Sequence, residues 1–111
     1  MRSLKNLIEL TAQATPFNST EYPRLNILHG EDAFEFELRH SLDHVGKTSG
    51  KFSALLEAHD HGHPKTLNRE KLKELVTEQV FNALRLAALL TVPDWQIQKY
   101  FEQEYTRHLG T

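Results

Sequence analysis

Two runs of polar side chains repeat at helical spacing and could do chemistry together: Glu37, His40, His44, Lys47 and Lys51, and Glu74, Glu78, Asn82 and Arg85. At about 100° per residue each run falls within an arc of roughly 80°. Each lies beside residues such as Val45, Phe52, Leu75 and Leu86 that are expected in a core. Imidazoles, carboxylates and cations aligned beside a core suggest a shared cleft in which an anion or a metal could be held and a proton moved. His44, facing Glu78, is the candidate general acid or base, because an unperturbed imidazole titrates near neutrality.

The elements that must position these runs are helices. Ser3 caps a short helix to about Gln13, with Leu4, Leu7 and Ile8 on one face. From Ala14 to Gly30 the chain carries Pro16, Asn18, Ser19, Thr20 and Pro23, which reads as an extended connection. Asp32 and Glu35 form a capping-box pattern opening a long helix from Ala33 to Ala58, whose buried face is Phe34, Leu38, Leu42, Val45, Ser49, Phe52 and Leu56. His59 to Pro64 ends that helix. Asn68 caps a second long helix from Arg69 to Leu90, with Leu72, Leu75, Val76, Val80, Ala83, Leu86, Ala87 and Leu90 on its core side. Asp94 caps a last helix to about His108, carrying Trp95, Ile97, Phe101 and Tyr105, and Gly110 ends it.

Gly46 and Gly50 fall inside the first long helix, where each costs roughly 1 kcal/mol relative to Ala. Small residues four apart allow close approach of another helix or of a ligand. Because neither stands at a helix start, helix packing is favoured over phosphate approach.

No strand alternation competes with this pattern, so the fold class is all-α, a four-helix-type bundle with two long antiparallel helices. One domain is expected over residues 1–111, with residues 1–32 as N-terminal helix and connection and 33–109 as the helical core. Long helices with apolar flanks in a chain of 111 residues favour a homodimer.

Bulk composition narrows the partners. A formal charge of -2, with seven His neutral, supplies no field that would draw nucleic acid or an anionic membrane. No Cys is present, which removes disulfides, thiolate metal sites and a Cys nucleophile. The opening residues carry Lys5 and Glu9 and no long apolar run, so neither a signal peptide nor a membrane span is expected, and a cytoplasmic location is the simplest reading.

Residues Lys71 to Leu90, KLKELVTEQVFNALRLAALL, followed by Thr91-Val92-Pro93-Asp94, resemble the second motif helix of MazG-like nucleotide pyrophosphohydrolases, the all-α NTP pyrophosphatase superfamily. Leu42 to Lys47 stands where that family has its first acidic motif. The resemblance spans about residues 34–105. It implies hydrolysis of a nucleoside triphosphate to monophosphate and pyrophosphate, with Mg²⁺ (or Mn²⁺) held by carboxylates on two antiparallel helices.

Carried over residue by residue, Asp43 matches the first acid, His44 replaces the second and Lys47 the third. Glu78 falls on the family's Asp, and Leu75 stands where a Glu is expected, with Glu74 one position earlier. The metal set this implies is Asp43, Glu74 and Glu78, with His44 and Glu78 catalytic and His40, Lys47, Lys51 and Arg85 on phosphates. Mg²⁺ prefers hard oxygen ligands, so Lys47 departs from the family's arrangement.

Two readings from other classes stand beside it. One is a catalytically inactive helical homodimer that binds a nucleotide or a protein, in which the Lys and His side chains pair with Glu74 and Glu78 across the helices. The other is a metal-binding module using His59, His61 and His63, whose alternate spacing in a loop lets two imidazoles reach one transition metal. The aromatic residues near the end, Trp95, Tyr100, Phe101 and Tyr105, are expected to pack in a core or a dimer contact rather than to stack a base.

Overall fold

A computed structural model describes residues 1–110, all helix and loop with no strand among them. Helix α1 spans Leu4–Ala14, and Ser3 Oγ caps it by accepting from the Asn6 amide. The connection that follows contains one short 3₁₀ turn, Pro23–Asn26. Helix α2 (Gly30–Asp60) and helix α3 (Arg69–Leu89) form an antiparallel hairpin, and helix α4 spans Asp94–Leu109. The Asn68 side chain accepts from the Lys71 amide at 3.0 Å, the cap expected for α3.

Two expected caps are corrected. Helix α2 begins at Gly30, with His29 in extended backbone as its N-cap and no side-chain cap. Asp32 therefore lies inside the first turn, where with Glu31 it complements the positive end of the helix dipole instead of closing a capping box. Likewise Pro93 is the N-cap of α4, and Asp94 is the first helical residue.

The register of the hairpin is set by polar side chains. Asn82 Nδ2 donates to Thr48 Oγ1 at 2.9 Å and to the His44 carbonyl at 3.2 Å. Gln79 Nε2 reaches the Val45 carbonyl and Ser49 Oγ, both at 3.2 Å. Ser41, Thr48, Asn82 and Arg85 are buried along this seam.

The expected buried faces are corrected accordingly. Leu42 and Leu56 on α2 are 49% and 46% exposed, and Val76, Val80 and Leu90 on α3 are 52%, 54% and 47% exposed. Ser49 and Ala83 are exposed as well. Among the described residues the buried apolar side chains are Ile8, Leu75 and Ala87. Ridges of one helix pack against whatever the neighbouring helix offers; here the neighbour meets the polar flank, and the apolar flank is turned away. The α4 aromatics Trp95, Tyr100, Phe101 and Tyr105 are also exposed within this chain.

Helices α2 and α3 end on the same hydrogen-bond pattern. At the end of α2 the Gly62 amide donates to the His59 carbonyl and the His63 amide to the Ala58 carbonyl, with Gly62 at φ +82°. At the end of α3 the Thr91 amide donates to Ala88 and the Val92 amide to Ala87, with Thr91 at φ +52°. Both are Schellman motifs, which favour glycine at the left-handed position. A β-branched residue there is strained. Thr91→Gly is therefore expected to stabilise the chain by about 1 kcal/mol, read as a higher denaturant midpoint; a midpoint that falls would show the strain argument to be wrong.

Candidate functional site

The side of the hairpin seam nearer the start of α2 gathers charge and aromatic rings. Arg85 comes from α3, His40 and His44 from α2, and Phe17 and Tyr22 from the connection that crosses over them. Arg85 is 8% exposed. Its guanidinium carbon lies 4.8 Å from the Phe17 ring centroid, a cation–π contact. Arg85 Nη2 donates to Tyr22 Oη at 3.4 Å, while its buried Nε has no hydrogen-bond partner. No ion pair involving Arg85 occurs among the described residues.

The imidazoles continue this network. His40 Nε2 lies 3.2 Å from Tyr22 Oη and 3.2 Å from His44 Nε2. With Arg85 donating to the phenol oxygen, the Tyr22 proton is free to point at His40 Nε2, and His44 Nε2–H can donate to the same nitrogen. Both contacts are compatible with neutral imidazoles, the single Nε2 lone pair of His40 being shared between the two donors, while Arg85 Nε stays without a partner. Phe36 stacks on His40, with Phe17 and Tyr22 edge-on to it.

Burial holds the His40 pKa below 6.5, helped by the positive charge of His44, Arg85 and Lys47 and opposed by Asp43. Burial likewise lowers His44, helped by Arg85 and Lys47 and opposed by Asp43 and Glu78. The cluster thus carries one fixed cation and two imidazoles that resist protonation.

The other sequence-predicted residues fall elsewhere. Lys51 Nζ donates to Glu78 Oε1 at 2.8 Å, and that bond holds the Glu78 carboxyl below its ordinary value. Glu74 pairs with Lys71 at 3.2 Å on its own helix. Lys47 is exposed and reaches the histidines through its charge alone. Asp43 is exposed beside an open hollow of about 330 Å³ that Arg24, Phe36, Arg39 and His40 also line.

In the antiparallel register, Lys51 stands opposite Glu78 and Thr48 opposite Asn82. Asp43 is therefore displaced from Glu78 by some eight residues, about 12 Å along the seam, and farther from Glu74. Asp43, Glu74 and Glu78 do not converge on one point, and two of them are already paired with lysines. This donor set does not fit a Mg²⁺ site.

In the loop, His59 Nδ1 lies 3.2 Å from the Pro64 carbonyl, and His61 is within 4.0 Å of Glu57. No group of three or more His, Cys, Asp or Glu that could hold a metal occurs among the described residues.

Sequence reasoning missed Phe17 and Tyr22. Their signal was weak but present: two aromatic rings, each next to a proline, in a segment otherwise built of small polar residues. Glu37, the first member of the α2 stripe, lines a second hollow of about 220 Å³ with Arg85, Phe17, Ala12 and Thr15.

No helix is long and apolar enough to cross a membrane among the described residues. No protein-family model, curated protein or solved structure matches this chain.

The lowered histidine values carry a sign for stability. The unfolded chain takes up protons at His40 and His44 near pH 6.5, whereas the folded chain resists until lower pH. Their contribution is complete above that value and is lost as the pH falls below it. Urea midpoints are expected to drop between about pH 7.5 and about pH 5.5, with a shallower slope in His40→Gln and His44→Gln. A slope identical in both variants would assign the loss to other groups.

Proposed function

We propose that this chain is a helical nucleotide-binding protein that acts as a homodimer and receives the ligand's phosphate at Arg85. One observation carries the reading: a buried guanidinium whose Nε is unpartnered and which has no carboxylate counter-ion. An uncompensated buried charge is costly, and a phosphate oxygen is the acceptor that a planar guanidinium fork suits best. His40 is linked to it through Tyr22, and His44 through His40, and both can donate to further oxygens once protonated. Lys47 adds positive charge at the rim.

This is the binding alternative to the MazG-like pyrophosphohydrolase that the sequence resembles. The phosphate-binding members of the expected set, His40 and Arg85 with Lys47 nearby, support it. The expected metal set supports hydrolysis less, because Glu78 and Glu74 neutralise Lys51 and Lys71. Lys51 is correspondingly assigned to the seam's ion pair rather than to phosphate. Glu37 shares a hollow with Arg85 and opposes an anion there, so its neutralisation should help binding.

Calorimetric titration with ATP, ADP, AMP and pyrophosphate, each with and without Mg²⁺, tests the reading. Binding is expected without added Mg²⁺, weakened roughly 10- to 100-fold in Arg85→Gln, as for loss of a charged hydrogen bond. Glu37→Gln is expected to tighten it. Pyrophosphate release that depends on Mg²⁺ and disappears in Glu78→Ala would establish the hydrolase instead, and no binding by any of these ligands would overturn the proposal.

A further inference from the structure

The hairpin has two unlike sides. Taking the seam as the reference direction on each helix, His40, His44, Lys47 and Lys51 on α2 lie about 60–120° round to one side, and Leu42, Ser49 and Leu56 about 60–100° round to the other. On α3, Glu74, Glu78 and Arg85 lie on the first flank, and Val76, Val80 and Ala83 on the second. Because the helices are antiparallel, flanks of the same rotational sense fall on the same side of the pair. One side therefore carries the cation cluster under the N-terminal connection. The opposite flank exposes Leu42, Leu56, Val76 and Val80, with Gly46, Ser49, Ser53 and Ala83 between them, and no charged side chain falls on that flank within these stretches.

The amount of open surface is large. A compact 12.8 kDa protein exposes roughly 6,300 Å², whereas this chain exposes 8388 Å². Its radius of gyration is 17.6 Å, against about 13 Å for a compact domain of this length. The excess, roughly 2,100 Å², is of the order that an obligate homodimer removes from water.

Gly46 adds a second line. It follows Leu42 by one turn and lies at the outer edge of this flank, and a Cβ there, as at Gly50 one turn on, would meet no atom of this chain within 4 Å. Nothing inside the chain offsets the roughly 1 kcal/mol that a glycine costs in a helix interior. A helix arriving from outside does, because a missing side chain lets two backbones approach.

We infer that the Leu42–Leu56 and Val76–Ala83 faces of the α2–α3 hairpin are covered by the same faces of a second copy of this chain, with α2 helices in closest contact at Gly46. The inference rests on the homodimer part of the proposed function and adds the surface. A face without charge is one that can meet its own copy without like-charge repulsion, as a two-fold contact requires. Two such layers make a four-helix core in which the exposed Leu and Val side chains become interior. The competing surface is the aromatic face of α4, and the Arg85 clusters remain on the outer sides of the pair.

Sedimentation velocity over a concentration series separates these outcomes. Wild-type chain is expected to be dimeric. Gly46→Leu is expected to weaken the dimer about 10-fold or more, as overpacking of a close contact does. Its helix content by circular dichroism should be unchanged or higher, since the substitution raises helix propensity in open space. Phe101→Ser with Tyr105→Ser on α4 is expected to leave the dimer intact. A dimer that survives Gly46→Leu and dissociates with the α4 substitutions overturns the assigned surface and leaves the homodimer standing. A monomeric wild-type chain overturns both, while phosphate binding at Arg85 is read independently by calorimetry.

Discussion

The structure depends on a polar seam. Asn82 sits at its centre, bonded to Thr48 and to the His44 carbonyl, with Gln79 one turn earlier on α3 holding Val45 and Ser49. Hydrogen bonds of this kind contribute modestly when made, about 1 kcal/mol each, but cost more when a buried partner is left without its mate. That asymmetry fixes direction and register. Slipping α3 along α2, or rotating it to bury Val76 and Val80 instead, would strand Asn82 and Thr48. Specificity therefore comes from the seam, while most of the apolar surface is left to pack elsewhere.

The two elements that the seam joins were legible in the sequence, and their facing directions were not. Ser3 and Asn68 announced helix starts, and Pro64 and Gly110 announced ends, because these signals are local chemistry. The polar stripes were also legible as stripes, and they do meet within one chain at Lys51–Glu78 and at Asn82 on the His44 carbonyl. Periodicity finds an apolar flank, however, without saying whether the chain itself or something else covers it. Leu42, Leu56, Val76 and Val80 are core-like residues turned outward. The capping box at Asp32 failed for a related reason: the pattern fits equally well one half-turn inside a helix that starts earlier, at Gly30.

The candidate site shows what one seam can support at different levels. Toward the loop between α2 and α3, cations meet acids: Lys51 with Glu78 and Lys71 with Glu74. Near the connection, Arg85 meets rings and neutral polar groups. Near the loop the carboxylates are consumed by lysines, whereas near the connection Glu37 and Asp43 line hollows beside the cluster without pairing to Arg85. Phe17 offsets part of the desolvation of Arg85 through its ring face, but a quadrupole does not replace a counter-ion. The imidazoles beside it respond in kind, since each stays neutral more readily for having that guanidinium near. A dianionic phosphate would reverse the local field, and would favour the protonated imidazoles that can bond to it. Ligand affinity and proton uptake at this cluster are thus two aspects of one charge imbalance.

Helix α2 serves both sides of the layer with neighbouring residues. His40 and His44 line the cation cluster, while Leu42 and Gly46, each two residues away, lie on the open face. A helix is stiff over two residues, so a rotation of α2 that tightened one face would loosen the other, unless the seam prevents it. Asn82 does prevent it, because its bonds to Thr48 and the His44 carbonyl pin α2 at the middle of that stretch. Coupling between ligand and assembly would need those bonds to have a second arrangement. With one arrangement only, the seam acts as an insulator, and the chemistry of one side is settled without reference to what covers the other.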